Sequence, residues 1–207
     1  MSGIVCLGWG SLIWDPRTLP LEDRERPWHT DGPNLPVEFA SKSSRGHVTL
    51  VLVRDGHAVP VLWAYLKVSS LEDARDKLSE REWSSADPHD VVGIWSRKHG
   101  EESLHSRIIA EWAERKGFDG VVWTKLPPKF PEPGIMPEEQ QVVDYLASLE
   151  GEKKVRAKQY VERTPRQVAT QYRPAIEQRL GWTYDGSLTD PQIRYPNGCL
   201  TFGKRRR

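Results

Sequence analysis

The chain has 207 residues, of which 37% are hydrophobic and 29% charged, and its formal net charge is +1. This length suits one soluble domain with a substantial core, and we predict a single domain over residues 1–207. The small net charge provides no overall field that would attract nucleic acid or an acidic membrane, and no apolar run approaches the roughly 18 residues of a membrane-spanning helix.

The first half of the chain predicts mainly β-structure. Ile4–Leu7 is a short apolar run that ends in the glycine turn Gly8-Trp9-Gly10-Ser11, which is typical of a buried strand followed by a turn. Pro27–Pro36 is a predicted loop. Further strands are predicted at Val37–Ala40, Val48–Arg54 and Ala58–Val68, with a hairpin at Asp55-Gly56 between the last two.

The rest of the chain predicts more helix. Ser70 is a good N-cap with Asp73 three residues later, and apolar residues follow at helical spacing, so we predict a helix over Ser70–Glu82. The later predicted elements are strands at Val91–Trp95 and Gly120–Thr124, and helices at Leu104–Lys116, after Pro137 and in stretches of Lys153–Leu180. The last 25 residues are predicted to be irregular.

Strands dominate the first two-thirds of the chain and helices dominate the remainder, without a regular alternation of the two. This order predicts an α+β fold, with a small mixed β-barrel-like sheet surrounded by helices. Within the single domain we expect a core over residues 1–130 and a mostly helical C-terminal extension, residues 131–207, packed on it.

The glycine turn after the first strand has three interpretations. As a dinucleotide-binding fingerprint it is incomplete, because Ile13 stands where the third glycine belongs and Pro16 disrupts the helix that would bind the pyrophosphate. The second interpretation is a plain turn at a strand end. The third is a ligand site, because glycines let the backbone approach a ligand, and successive N–H groups with the Ser11 hydroxyl can hold a carboxylate or a developing oxyanion.

The string Gly8-Trp9-Gly10-Ser11-Leu12-Ile13-Trp14 resembles the N-terminal signature of the γ-glutamylcyclotransferase superfamily, and is most like the branch of ChaC-like glutathione-degrading enzymes. Two further segments match in family order. One is Phe39-Ala40-Ser41 through Arg45-Gly46 and then Val48-Thr49-Leu50, similar to a family segment in which a Ser and an Arg-Gly pair precede a strand. The other is Leu78-Ser79-Glu80-Arg81-Glu82, where the family's Arg-Glu pair carries the catalytic carboxylate. The resemblance implies the family's fold, Glu82 as the catalytic residue, and substrate binding by residues 8–13 and Arg45.

The resemblance also implies a reaction. A γ-glutamyl peptide or amine would be cyclised to 5-oxoproline as its own α-amine attacks the γ-carbonyl and the amine part leaves. Because the attack is intramolecular, the enzyme mainly folds the substrate, and no protein nucleophile, metal or cofactor is required. One carboxylate can accept the proton of the amine and pass it to the leaving nitrogen. The expected partner is thus a small γ-glutamyl substrate, with no nucleic acid and no membrane.

Trp9 departs from the family signature, which has Tyr at this position, so a hydroxyl is lost and bulk is added to the pocket. The alternative hypothesis is therefore a catalytically inactive ligand-binding or protein-interaction module on the same fold. Glu82, next to Arg81, also fits a solvated residue at a helix end. Glu38 is the second candidate for the carboxylate, and Glu80, which points away from Glu82 on a helix, is the natural control.

The remaining patterns provide no second site. The two cysteines, Cys6 and Cys199, do not form a disulfide framework, and Cys6 is predicted to be a buried, inert thiol. No two of the six histidines have the i, i+4 spacing of a helical metal site, so no metal is predicted. The segment Trp123–Phe130 is a strand followed by a rigid loop, either a pocket wall or a surface loop braced by prolines. Residues predicted as core on later helices are Tyr160, Tyr172 and Trp182.

Two expectations concern the ends of the chain. The first residues do not show a basic segment followed by an apolar stretch, so we expect no secretory signal and a cytoplasmic protein. The basic run Lys204–Arg207 is expected to be a solvated terminus rather than an anchor for phosphates.

Overall fold

The structure is a computed structural model that describes residues 3–82, 86–98, 104–186 and 193–194, with the backbone alone at residues 104, 193 and 194. Its strands are β1 (Ile4–Gly8), β2 (Trp28–His29), β3 (Asn34–Lys42), β4 (Val48–Leu52), β5 (Ala58–Pro60), β6 (Leu62–Tyr65), β7 (Val92–Ser96), β8 (Gly120–Thr124) and β9 (Ile193–Arg194). Its helices are α1 (Leu71–Glu82), α2 (Pro88–Val91), α3 (Leu104–Lys116), α4 (Glu139–Ser148), α5 (Gly151–Arg163) and α6 (Arg173–Leu180). Cys199 and the basic run Lys204–Arg207 lie outside the described residues.

The strands form two sheets. The larger has the order β7-β8-β1-β6-β2-β9, and the smaller has the order β4-β3-β5. β1 pairs antiparallel with β6 and parallel with β8, so the first strand lies inside a mixed sheet. The predicted α+β class with a mixed sheet and surrounding helices is confirmed, and the strands of the described ranges do not close into a barrel.

Two predictions in the strand-rich region are wrong. Asp55-Gly56 does not join a hairpin, because the strands on its two sides both pair with β3, which is nine residues long and accommodates both along its length. The strand predicted over Ala58–Val68 is divided after Pro60, where the amide of Val61 instead donates to Pro33 O at 3.0 Å. β5 and β6 consequently belong to different sheets. The predicted loop Pro27–Pro36 also contains β2 and the beginning of β3.

Helix α1 begins as the sequence predicts. The Ser70 hydroxyl accepts a hydrogen bond from the amide of Asp73 at 3.1 Å, and the Asp73 carboxylate accepts one from the amide of Ser69 at 3.2 Å. These bonds satisfy amides that have no partner inside the helix. Ala74 and Leu78 are fully buried on the face that packs against β7 and β8. The helix therefore ends close to the end of β1, which brings its last residues to the glycine turn.

One hydrophobic cluster connects the sheets with the C-terminal helices. Its members include Val5 and Leu7 of β1, Leu146 of α4, Val161 of α5 and Ile176 of α6. Other buried residues confirm the core predicted from the sequence: Tyr160, Tyr172 and Trp182.

Cys6 is fully buried in β1, and burial, together with the nearby charge of Glu82, raises the pKa of its thiol. A thiol held in its neutral form is a poor nucleophile, in agreement with the prediction of an inert residue.

Within the described ranges, every helix is too short or too polar to traverse a bilayer.

Candidate functional site

β1 ends at Gly8 and the chain then folds into a tight turn. The amide of Ile13 donates to Gly10 O at 3.0 Å, and that of Asp15 donates to Ser11 O at 2.8 Å. A side chain at Gly8 would place its Cβ 2.7 Å from the indole ring of Trp28, so the strand can pass this ring only with glycine at position 8. The turn is thus fixed by its own hydrogen bonds and by close packing.

Trp9, the residue that departs from the γ-glutamylcyclotransferase signature, is a buried residue of the turn. Its indole Nε1 donates to the carbonyl oxygen of Leu50 in β4 at 3.3 Å. A buried indole N–H needs an acceptor, and here a backbone carbonyl supplies it. The indole therefore contributes an apolar surface to the pocket, and its polar atom is already bonded within the protein.

Arg81 connects the end of α1 to the turn. Its guanidinium donates to Ser11 Oγ at 3.1 Å and, through Nε and Nη2, to Asp15 O at 3.1 and 2.7 Å. The remaining nitrogen, Nη1, donates to Glu82 Oε1 at 2.7 Å. The Arg81 side chain is only 4% exposed, so a buried charge is held by several acceptors in fixed geometry. One residue thereby binds both the glycine turn and the candidate carboxylate.

Glu82 is the last residue of α1, and its side chain is 17% exposed. Within the described ranges, Oε1 is bonded to Arg81, whereas Oε2 has no hydrogen-bond partner. A carboxylate in this arrangement has one oxygen fixed and one oxygen available to a proton of a bound molecule.

Arg17 completes the support of α1. It has a backbone φ of 52°, in the left-handed region that non-glycine residues seldom adopt. In this conformation its Nη1 donates to the carbonyl oxygen of Arg81 at 2.7 Å, and its Nε lies 3.3 Å from the Asp15 carboxylate. A cation that bonds a carbonyl in the last turn stabilises the helix end from which Arg81 and Glu82 project.

Tyr160 of α5 reaches the same turn, although the sequence predicts it only as core. Its hydroxyl oxygen accepts hydrogen bonds from the backbone amides of Leu50, at 3.1 Å, and Ser11. Burial raises the pKa of Tyr160 to about 12, so this side chain remains a neutral phenol. Its ring packs edge-to-face with Trp14, with the centroids 5.4 Å apart. Helical spacing is the same for a core tyrosine and for one that reaches a pocket, so the sequence carries no signal that separates the two.

Two cavities that share lining residues open at the turn. The inner cavity has a volume of about 80 Å³ and is lined by residues 7–12, 49–51, Arg81, Glu82, Thr124, Leu126 and Tyr160. The outer cleft has a volume of about 410 Å³ and is lined mainly by the turn, the β3–β4 loop and α5. Residues common to both are Ser11, Thr49, Arg81, Glu82 and Tyr160. The Glu82 side chain and the Gly8–Leu12 segment therefore line the same inner cavity.

The predicted substrate-binding residues divide between these spaces. Gly8, Trp9, Gly10, Ser11 and Leu12 line the inner cavity, and Ser11 also lines the outer cleft.

Arg45 is exposed in the β3–β4 loop and lines the outer cleft only. Ile13 lines neither of these two cavities, because its side chain is buried in the core. Thr124 and Leu126 line the inner cavity, so the beginning of the segment Trp123–Phe130 forms a pocket wall.

The two other carboxylates considered from the sequence lie elsewhere. Glu80 is 58% exposed and pairs with Lys77 at 3.0 Å. Glu38 is buried in β3, where Oε1 accepts from the amide of Phe39 at 2.8 Å and Oε2 from the amide of Tyr172 at 3.1 Å. Burial raises the pKa of Glu38, and neither cavity includes it in its lining. Glu38 therefore fastens the segment before α6 to β3.

The arrangement can perform acid–base chemistry on a small bound molecule. It combines one partly buried carboxylate with a hydroxyl, a guanidinium and the backbone of a glycine turn. The Ser11 oxygen accepts from Arg81, so its own proton remains for an acceptor in the cavity. Within the described ranges, His, Cys, Asp and Glu side chains do not gather in groups of three or more that could hold a metal ion.

Comparison with known proteins gives matches among solved structures alone. No protein-family model matches the chain, and no curated protein sequence matches it significantly. The chain is similar to the crystal structure of a selenomethionine-labelled γ-glutamyl cyclotransferase specific to glutathione from yeast, with a TM-score of 0.47 and 14% identity over 88% of this chain and 98% of that one. A second crystal structure of a glutathione-specific γ-glutamyl cyclotransferase from yeast gives a TM-score of 0.40 and 13% identity over 87% and 98% of the two chains.

Proposed function

We propose that this chain is an enzyme that cyclises a γ-glutamyl peptide or amine to 5-oxoproline and releases the amine, with Glu82 as general base and then general acid. One observation supports the proposal above all others: the Glu82 side chain lines the same cavity as the Gly8–Leu12 segment. The three segments that resemble γ-glutamylcyclotransferases agree with this arrangement, because each supplies lining residues of that cavity: Gly8–Leu12, then Thr49 and Leu50, then Arg81 and Glu82.

The reaction needs one new bond and one broken bond. The substrate's α-amine nitrogen attacks the γ-carbonyl carbon, and the amide bond from that carbon to the leaving nitrogen breaks. Oε2 of Glu82 accepts the proton released by the attacking amine and then delivers it to the leaving nitrogen. Since both reacting groups belong to one molecule, the protein contributes chiefly by holding the substrate in a folded, reactive shape.

The groups around Glu82 fit the other requirements of this reaction. Negative charge develops on the γ-carbonyl oxygen during attack, and donors fixed in position before the reaction stabilise it. The proposed donors are the Ser11 hydroxyl and the amides of the glycine turn other than that of Ser11, which donates to Tyr160. Arg81 holds Oε1 of Glu82 at 2.7 Å, which orients the carboxylate while leaving Oε2 for the substrate.

The two spaces suggest how the substrate lies. The inner cavity, about 80 Å³, takes only part of the glutamyl end, and the outer cleft, about 410 Å³, accommodates the rest of the substrate with its leaving part. In this orientation the scissile amide lies at the junction, beside Ser11 and Glu82, which line both spaces.

The proposal is tested by measuring release of 5-oxoproline and of the amine from a panel of γ-glutamyl peptides and amines. The matched control substrates are the α-glutamyl isomers, in which the amine part is attached to the α-carboxyl group and cannot leave by this route. We expect equal amounts of 5-oxoproline and amine from at least one γ-isomer and none from its α-isomer. Failure of every γ-glutamyl compound to react would refute the proposal.

A second candidate function is a ligand-binding module without catalysis, and Trp9 favours it. The indole nitrogen of Trp9 is bonded to Leu50 O, so this residue cannot offer the hydroxyl-like donor of the family tyrosine to a ligand. Quenching of tryptophan fluorescence by a γ-glutamyl peptide that is not turned over would support this function. Turnover of the same peptide would rule it out.

A further inference from the structure

The outer cleft is unusually rich in arginine. Five guanidinium groups line it, against two carboxylates, Asp15 and Glu82. The arginines are Arg17, Arg45, Arg81, Arg156 and Arg163. This excess of positive charge is local, since the whole chain carries a formal net charge of only +1. A polar cleft that concentrates one sign of charge attracts ligands of the opposite sign.

Internal pairing accounts for only part of this charge. Arg17 pairs with the Asp15 carboxylate at 3.3 Å, and Arg81 pairs with Glu82 at 2.7 Å. These two ion pairs involve both carboxylates that line the cleft. Arg156 pairs at 2.9 Å with Glu152, which is highly exposed to solvent and therefore compensates the charge only weakly.

Arg45 and Arg163 have no ion-pair partner within the described ranges. Arg45 is exposed in the β3–β4 loop, and Arg163 is the last residue of α5; both line the cleft. Nε of Arg163 is buried without any hydrogen-bond partner. This nitrogen is shielded from solvent, so the donors that Arg163 offers a ligand in the cleft are those of its terminal Nη groups. Arg45 and Arg163 thus offer the cleft guanidinium groups that have no ion-pair partner within the described ranges, one from the β3–β4 loop and one from α5.

His47 of the β3–β4 loop also lines the cleft, close to Arg45 and Arg156. Its Nδ1 is 3.0 Å from the Ser43 hydroxyl. Burial and the positive charges of Arg45 and Arg156 lower the pKa of His47. The neutral imidazole and the serine hydroxyls of the loop supply further polar contacts without cancelling the positive potential.

We propose that the outer cleft binds an anionic group, a carboxylate or a phosphate, carried by the leaving part of the substrate, and that Arg45, Arg156 and Arg163 are its ligands. This inference rests on the proposed cyclotransferase function and adds the class of leaving group that the site selects. Guanidinium groups bind carboxylates and phosphates through paired, charge-assisted hydrogen bonds. A substrate whose leaving part carries no anionic group cannot form these bonds, so the protein prefers substrates with an anionic leaving part.

Matched substrate pairs test the proposal. γ-Glutamyl-alanine is compared with γ-glutamyl-alaninamide, and γ-glutamyl-phosphoethanolamine with γ-glutamyl-ethanolamine, so that each pair differs in the anionic group. We expect kcat/KM to be about 10- to 100-fold higher for the anionic member of at least one pair. The pair with the larger ratio identifies carboxylate or phosphate as the preferred group. Ratios near one in both pairs, with turnover intact, would overturn the anion site and leave the proposed function standing.

Arginine variants test which residues bind the anionic group. Arg45→Gln and Arg163→Gln are expected to lower the preference for the anionic substrate by about 10-fold each. Arg166→Gln, three residues beyond Arg163 and outside the cleft lining, is the control and is expected to keep the wild-type ratio. Arg45 is exposed, so its replacement tests the site even if Arg163→Gln does not fold. An unchanged ratio in folded Arg45→Gln and Arg163→Gln would contradict the assignment.

Binding measurements separate this inference from the proposed function. If no γ-glutamyl compound is turned over, titration calorimetry of γ-glutamyl-alanine and γ-glutamyl-alaninamide still tests the cleft. Tighter binding of the anionic compound, lost in Arg45→Gln, would support the anion site although the proposed function had failed. Equal binding of the two compounds would overturn the anion site as well.

Discussion

The hydroxyl oxygen of Tyr160 accepts a hydrogen bond from the backbone amide of Leu50, 3.1 Å away. This bond joins α5 to β4 at the wall of the inner cavity. The same hydroxyl lies so close to Gly10 that a Cβ at position 10 would overlap it. Glycine at this position thus allows a residue of the C-terminal part of the chain to contact the turn that follows the first strand.

Gly10→Ala is expected to destabilise the protein by about 1–3 kcal/mol, because the methyl group displaces Tyr160 from its two amide donors. Tyr160→Phe alone is expected to cost about 1–3 kcal/mol, since it leaves the amides of Leu50 and Ser11 without an acceptor. Removing the hydroxyl also makes room for the methyl group, so the double variant should be more stable than the sum of the single effects by at least about 0.5 kcal/mol. Urea unfolding measures all three variants, and strict additivity would contradict the contact.

His47 is expected to titrate below the ordinary pKa of histidine, because it is half-buried and faces Arg45 and Arg156. The unfolded chain then binds a proton more readily than the native protein. His47 therefore contributes stability that is fully present above its pKa in the unfolded chain and is lost as pH falls through its pKa in the native protein. Nitrogen-15 NMR of the imidazole gives the native pKa directly.

Arg45→Gln provides the comparison for this titration, because it removes one of the two positive charges and should raise the pKa of His47. A wild-type midpoint at or above the ordinary value, or no change in Arg45→Gln, would contradict the positive potential inferred for the outer cleft.

Local signals in the sequence predicted several elements well. The Ser70 and Asp73 pair marks the beginning of α1, and the predicted bounds of Leu104–Lys116 and Gly120–Thr124 are those of the structure. Helix capping and hydrophobic periodicity depend on residues that are close along the chain, so a single sequence is enough to predict these elements. The prediction of a hairpin at Asp55-Gly56 is wrong because β4 and β5 each pair with β3. Which distant strands pair with each other cannot be predicted from the residues of the turn alone.

The same distinction applies to the candidate site. The glycine turn and Glu82 were found because they belong to recognisable strings, and they line one cavity. Tyr160 and Arg163 were missed because α5 meets the turn only through tertiary packing. The pattern on α5 indicates a helix with a buried face, and it does not indicate which cleft the ends of its side chains reach.

Glu38→Gln is expected to destabilise the protein by about 1–3 kcal/mol without abolishing turnover. An amide group has one oxygen, whereas Glu38 accepts from two backbone amides, those of Phe39 and Tyr172, so one of them would face an NH₂ group. Retained activity would separate Glu38 from the chemistry, and its loss in a folded variant would assign Glu38 a role in catalysis.

The pH dependence of this variant has a definite sign. Burial raises the pKa of Glu38 in the native protein. Its contribution to stability is therefore fully present below its pKa in the unfolded chain and is lost as pH rises through its pKa in the native protein. The destabilisation caused by Glu38→Gln should therefore be larger at acidic pH than at neutral pH. Urea unfolding of both proteins across this range measures the difference.

The central claim concerns Glu82, and the chain supplies its own control two residues earlier. Glu80 is exposed and pairs with Lys77, whereas Glu82 lines the cavity and is held by Arg81. Both substitutions, Glu82→Gln and Glu80→Gln, remove one negative charge near the end of α1, so a general effect on this helix would appear in both.

The most direct measurement is the rate of 5-oxoproline release by these two variants, with circular dichroism to verify that each is folded. The proposed proton transfer predicts that Glu82→Gln lowers kcat by about 10²- to 10⁴-fold and that Glu80→Gln retains the wild-type rate. A folded Glu82→Gln protein with the full wild-type rate would contradict it.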